Sequence, residues 1–379
     1  MTDDGLPAPP RPAYVKRLAP VLLIATSILI AILFVELACR IFVPSRYINV
    51  ASNPQLIMFF DGRNSVFRNV DGIDAYEPND EIRNVAFFYT DTQSGIEYDY
   101  RFRTNNFGLV EDADIAPDRA SLLLLGDSFT EGQGAEPWFR LVSPEIERLG
   151  YQPINGGLRG TGFAHWLRLD SYLTERGFRI RKVLILFISD DYRRPMVAAS
   201  PAAQQCLQSL RQCDLDRSYD YRLPPASELQ AWIARIKTAR SPIAEHSGIE
   251  GVAAELLPAS YRVYTHFRER LRNPALHARL DEAEQASPLA IRALIQRHGR
   301  DNLIFLHLPQ KDEMSGPNDL GRKARRAIEE AGGKLIDGFD LCRLGSSDYF
   351  VHDNHPNKSG YKKIADCVEH VIKDRISDD

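Results

Sequence analysis

Apolar residues in this chain fall into a few runs whose length and spacing predict the elements they build. The longest is uncharged from Leu18 to Val35, within LAPVLLIATSILIAILFVELACRIF, and has about the length a helix needs to cross a bilayer. It predicts a transmembrane helix over residues 18–38 behind a short tail of residues 1–17. The run is long for a signal-peptide core and no small-x-small site closes it, so an anchor is expected rather than a cleaved leader. Arg11, Lys16 and Arg17 precede it and Arg40 and Arg46 follow. That slight excess predicts a cytoplasmic tail and a body on the other side of the membrane.

Beyond the anchor the period changes. Within residues 45–118, stretches such as IEYDYRFRTNNFGLV alternate apolar and polar positions before an Asn-Asn turn, which predicts a small β-rich lead-in. From residue 119 to 376 the alternation is of strand with helix: LLLLG, a helix around 137–150, PING, a helix through FAHWLRLDSYLTERG, then KVLILFI, NLIFLHLP, the helix DLGRKARRAIEEAGG, KLIDG and a closing helix. Short continuous apolar runs read as strands buried on both faces. Their alternation with helices predicts an α/β fold with a doubly wound parallel sheet. In the closing helix Ile364, Cys367, Val368, Val371 and Ile372 share one face and are expected in the core. Residues 195 to about 300 interrupt the rhythm with proline-punctuated segments such as ASELQAWIARIKTAR and SYRVYTHFRERLRN, and are expected to form a helical insertion or cap.

Composition narrows the partners. With 379 residues, 44% hydrophobic and 26% charged, the chain can bury one large core with additions. Lys and Arg number 47 against 51 Asp and Glu, a formal charge of −4 with no basic run, so no nucleic-acid partner is expected. Among five cysteines, Cys206 with Cys213 and Cys342 with Cys367 are candidates for two bridges in an oxidising compartment, though spacing alone does not fix the pairing.

The candidate chemistry begins where LLLLG runs into DSFTEGQG. The carboxyl end of a buried strand is where open α/β sheets place their ligands, and Ser128 stands there. A serine hydroxyl becomes a nucleophile only beside a base that an acid orients. Far down the chain, HDNHPNKSG supplies His355, with Asp353 two residues before it. As metal ligands, His352, Asp353 and His355 lack further Cys or His at suitable spacing, so neither a metal nor another cofactor is expected.

GDSFTEG around Ser128, NGGLRG ending at Gly160 and HPNKSG from His355 resemble, in order and spacing, three of the four sequence blocks of the SGNH hydrolases, the GDSL esterase and lipase superfamily. With the anchor, the upstream RTNNFGL stretch and LPQKDEM before the last block, the chain is similar to membrane-anchored bacterial SGNH proteins, including those of polysaccharide O-acetylation. The resemblance covers roughly residues 101–192 and 302–372. It implies a flavodoxin-like three-layer SGNH fold, with Ser128 as nucleophile, His355 as base and Asp353 as the orienting acid. It further implies oxyanion donors at the Ser128 and Gly160 amides, with Asp127, Asn155 and Asp191 in support. The implied partners are an acyl-ester substrate, polysaccharide esters included, and the membrane itself. The implied location is the bacterial inner membrane, with the catalytic domain periplasmic.

Two positions depart from the family pattern. The usual acid position, three residues before the histidine, holds His352, which leaves the role to Asp353. The third oxyanion donor is an asparagine in the family, and the matching position in LILFISDDYRRP is Asp190. An ionised carboxylate about 4 Å from an oxyanion opposes it by on the order of 4 kcal/mol at an effective dielectric of about 20, more than the roughly 3 kcal/mol of one lost donor. Three resolutions are open: Asp190 is protonated beside Asp191, it points away while Arg193 or Arg194 supplies positive charge, or catalysis is lost. The functions open to the chain are an extracytoplasmic serine ester hydrolase, an O-acyltransferase with the same acyl-enzyme chemistry, or a non-catalytic protein that binds a glycan or a partner.

Overall fold

The computed structural model describes residues 13–42, 55–61, 68–70, 73–89, 93–135, 137–194, 220–239, parts of 256–271, and 274–376. Cys206 and Cys213 lie outside the described residues. The chain divides into two compact units, Met1–Asn53 with Ser241–Pro274, and Pro54–Arg240 with Ala275–Asp379.

The first unit is built on helix α1, Ala13–Phe42, whose stretch Leu22–Phe42 has a mean hydropathy of 2.6 and is long and apolar enough to cross a membrane. Glu36 is the exception on this apolar rod, and a buried carboxylate demands hydrogen-bonding partners. It accepts from Arg40 Nε at 2.8 Å, from the amides of Ala259 and Ser260 at 3.2 and 2.9 Å, and from the Ser260 hydroxyl at 2.9 Å.

The second unit opens with strands β1 (Gln55–Asp61), β2 (Arg68–Val70), β3 (Ile73–Ala75), β4 (Glu81–Tyr89) and β5 (Ser94–Arg103). Along β5 the alternation seen in the sequence is physical: Tyr98, Tyr100 and Phe102 point inward and Asp99, Arg101 and Arg103 outward. The chain continues through β6 (Ala120–Gly126), α2 (Ser128–Glu131), α3 (Phe139–Arg148), β7 (Gln152–Gly157), α4 (Phe163–Glu175) and β8 (Arg179–Phe187). There follow β9 (Asp220–Arg222), α5 (Ala226–Ala239), α6 (Pro274–His298), β10 (Leu303–His307), α7 (Asp319–Glu330), β11 (Lys334–Asp337), α8 (Gly338–Cys342) and α9 (Lys358–Arg375).

Five parallel strands form the main sheet in the order β11-β10-β8-β6-β7. This is the flavodoxin-like winding, and its direction reverses between β6 and β8, the place where such sheets bind ligands. The four leucines of β6 are explained by the two faces they serve. Leu122 and Leu124 pack with Val142, Ile364 and Val368 on one side. Leu123 and Leu125 pack with Trp166, Leu169, Leu294 and Ile328 on the other.

The region expected as an insertion over 195 to about 300 is divided differently. β9 joins β1 in parallel, completing a second sheet ordered β5-β4-β1-β9. Ile233 and Ile236 of α5 cover that sheet's apolar face against Ile57, Phe59 and Phe87. α6 is no insertion: Ala290, Ile291, Leu294 and Ile295 pack it on the main sheet as the crossover that parallel β8 and β10 require. The lead-in therefore takes its fourth strand from far downstream. A disulfide joins Cys342 of α8 to Cys367 of α9.

Candidate active site

At the end of β6 the chain must turn at once into α2. A Cβ at Gly126 would run into the Thr130 side chain and the Leu186 carbonyl, so glycine is needed for that close approach. Asp127 caps the helix, its Oδ1 accepting from the Phe129 amide at 2.9 Å. Ser128 is the first helical residue, and an amide there has no intrahelical partner. Its hydroxyl oxygen lies 2.8 Å from His355 Nε2 and 3.2 Å from Asp127 Oδ2.

His355 is held just before α9. Asn357 caps that helix, accepting from the amides of Ser359 and Gly360. The Phe350 amide donates to the His355 carbonyl at 3.0 Å, and Lys311 Nζ donates to the carbonyls of Phe350 and Val351 at 2.7 and 2.8 Å. His355 Nδ1 lies 2.8 Å from Asp353 Oδ1, which places the ring proton on Nδ1 and leaves Nε2 to accept from Ser128. Burial opposes charge on both residues. Their mutual attraction and hydrogen bond outweigh it, lifting the His355 pKa above the usual imidazole value and holding Asp353 below the usual carboxylate value.

The loop after β7 is laced to the serine turn. Leu158 N and Thr161 Oγ1 donate to the Gly126 carbonyl at 3.1 and 3.3 Å, and Arg159 N donates to Glu131 Oε2 at 2.7 Å. Between them Gly160 adopts φ +75°, a left-handed conformation that favours glycine. Asn155 shapes the approach to this loop, its Oδ1 accepting from Gly157 N and its Nδ2 donating to Val110 O, both at 3.0 Å.

The third oxyanion position follows β8. Ser189–Arg193 forms a 3-10 turn, in which successive side chains point about 120° apart. Ser189 and Asp191 are buried by it, whereas Asp190 is exposed, its Oδ2 accepting from Gln310 Nε2 at 3.1 Å. Asp190 is thus held by Gln310, with its charge also acting on Asp191 and Arg194. Asp191 accepts from the Ile188 amide at 2.9 Å, and burial pushes its pKa well above the usual value. Arg193 turns to Asp281 and Glu284, at 2.5 and 3.5 Å. Arg194 turns the other way, to Asp127 and Asp191.

Several contributors carry no motif. His352 stacks on Phe88 with ring centroids 3.6 Å apart, and its amide and Nδ1 contact Glu97 at 2.8 and 2.7 Å. It ties the catalytic loop to β4 and β5. Tyr98 accepts from Gln133 Nε2 at 2.9 Å and turns its hydroxyl toward Asp353, helping to hold that carboxyl ionised. The approach falls short of hydrogen-bond geometry, since Asp353 Oδ2 has no partner at that range among the described residues. Strand alternation placed Tyr98 inward, but no local pattern reports that this sheet meets the HDNH loop.

Fold and site together define a doubly wound α/β protein with a Ser-His-Asp relay at the switch point of its parallel sheet. No protein-family model matches the chain, and no curated protein matches it in sequence. Among solved structures it is similar to the esterase EstA from Pseudoalteromonas sp., at 13% identity over 68% of this chain and 99% of that one, with a TM-score of 0.34. It is also similar to a catalytic mutant of an acetylxylan esterase from Geobacillus stearothermophilus, at 16% identity over 68% and 95%, TM-score 0.33. A third is a member of the lipolytic G-D-S-L family from Veillonella parvula, at 13% identity over 67% and 99%, TM-score 0.30. Likeness this distant leaves the chemistry to be read from the side chains.

Proposed function

We propose that this chain is a serine-dependent ester hydrolase of SGNH type, acting through an acyl-enzyme on acyl or acetyl esters of envelope glycans or lipids. The observation that carries the reading is the unbroken relay from Ser128 Oγ to His355 and on to Asp353, each contact 2.8 Å long. Ser128 Oγ attacks the ester carbonyl carbon while its proton passes to His355 Nε2, and the carbonyl π pair moves onto oxygen facing the Ser128 and Gly160 amides. Collapse expels the alkoxide, which takes the proton back from His355 and leaves the acyl group on Ser128. Water, deprotonated by the same histidine, then releases the acid. A sugar hydroxyl in place of that water would turn the same site into an O-acyltransferase. The non-catalytic alternative drew on the Asp190 change and the helical segments, and the assembled relay favours catalysis over it. The α1 helix supports a membrane-anchored enzyme, and the flanking charges support placing its catalytic unit on the periplasmic side of a bacterial inner membrane.

A fluorophosphonate probe on the full chain tests the chemistry. Labelling of the wild type, absent in Ser128→Ala along with acetyl-ester hydrolysis and at an unchanged melting temperature, is the expected result. Hydrolysis that survives in Ser128→Ala would overturn it.

A further inference from the structure

Carboxylates crowd the nucleophile. Asp127 Oδ2 is 3.2 Å from Ser128 Oγ, and Asp191 is fully buried in the turn after β8. A tetrahedral intermediate adds another negative charge on the former carbonyl oxygen, and the side chain at position 190, which would donate as asparagine, is a carboxylate that accepts from Gln310.

Among the described residues, Arg194 is the cation paired with these two carboxylates. Arg194 Nη2 lies 3.6 Å from Asp127 Oδ2, and its Nε lies 3.2 Å from Asp191 Oδ1. The Asp191 contact lacks hydrogen-bond alignment and is an ion pair only. The backbone of the same residue packs on the oxyanion loop: a Cβ built on Gly162 would come within 3.2 Å of Arg194 Cβ and 3.1 Å of its carbonyl oxygen. Gly162 is two residues beyond Gly160. Arg194 thereby contacts the serine turn through its guanidinium and the segment just after Gly160 through its backbone, next to the two stretches that supply the oxyanion amides.

We propose that the Arg194 guanidinium is the third oxyanion-stabilising group of this site, replacing the asparagine amide that the SGNH resemblance places at position 190. This rests on the ester-hydrolase reading above and deepens it. A guanidinium stays charged when buried, and its planar fork can face a carboxylate and still present N–H donors elsewhere. A charge-assisted bond to an oxyanion is about twice as strong as one from a neutral amide. Here burial works against the charge on Arg194, and Asp127, Asp191 and Asp190 outweigh it. The substitution changes the chemistry from a neutral dipole to a fixed positive charge, which also offsets Asp127 beside the nucleophile.

The charged groups acting on His355 give the test a second readout. They are Asp353 on its own loop, Asp127 on the serine turn, Glu131 on α2 and Arg194 after β8. Arg194 is the cation among them and holds the imidazole pKa down. Its loss should raise that pKa, and since His355 must be neutral to act as base, activity should then fade at a higher pH on the acid side. Hydrolysis of p-nitrophenyl acetate and the rate of fluorophosphonate labelling would be followed against pH in the full chain. Arg194→Gln is expected to lower kcat by about 10²–10³-fold with KM little changed, to slow labelling in parallel and to move the acid limb upward. Arg194→Lys should recover part of kcat and return the limb toward the wild-type position. Wild-type kcat and limb in Arg194→Gln would overturn the inference while ester hydrolysis stood. If that variant fails to fold, Arg194→Lys decides: a limb in place with reduced kcat supports the guanidinium's role, and wild-type kcat overturns it. Absence of labelling in the wild type would instead overturn the ester-hydrolase reading itself.

Discussion

Asp353 and His352 are neighbours in sequence with opposite assignments in space. Asp353 Oδ1 accepts a hydrogen bond from His355 Nδ1, while His352 is held by Phe88 and Glu97. Replacing Asp353 by Asn favours the wrong imidazole tautomer, so kcat should fall by up to about 10⁴-fold with KM nearly unchanged. His352→Ala loosens a tether and should cost only a few-fold in kcat, on the order of 1 kcal/mol in the same terms. Steady-state kinetics on the two variants check the order, and the reverse order would move the acid away from Asp353. Ser128, His355 and Asp353 were legible in the chain because each sits at a turn with its own signature: strand into Gly-Asp-Ser, and Asp-x-His-Pro before a capped helix. Asp190 was not, because a 3-10 turn decides which of three consecutive residues faces inward, and nothing local distinguishes that turn from an α-helical start.

Elements were read well where one period dominated. β6, β8 and β10 are short apolar runs buried on both faces, and they lie where the sequence places them. α6 was missed as a sheet helix because Pro288 interrupts it and polar residues dilute its apolar stripe. Only the requirement for a crossover between parallel strands gives it its place. The α8–α9 disulfide pins the helix that follows His355 across a separation of 25 residues. Replacing both Cys342 and Cys367 by Ser should lower stability by about 3 kcal/mol through the freed unfolded chain, with the triad geometry kept. Chemical denaturation with and without reductant measures this. A wild type indifferent to reductant would contradict it.

For the molecule as a whole, the expected topology follows from α1 and its flanking charges. A reporter fused after Asp379 should be active only outside the cytoplasm, and a reporter active in the cytoplasm would reverse the orientation. The Cys342–Cys367 bridge fits an oxidising compartment. The sequence by itself determined the apolar span, the alternation of strand and helix, and the serine, histidine and aspartate of the relay, since each depends on periodicity or turn chemistry within a few residues. Tertiary structure alone decided that β9 completes the lead-in sheet, that Tyr98 and Glu97 reach the catalytic loop, and that Arg194 contacts Asp127 of the serine turn while Asp190 is held by Gln310. These are contacts between segments tens to hundreds of residues apart, or outcomes of one turn's phase. The packing of two sheets sets them, and no local pattern encodes it.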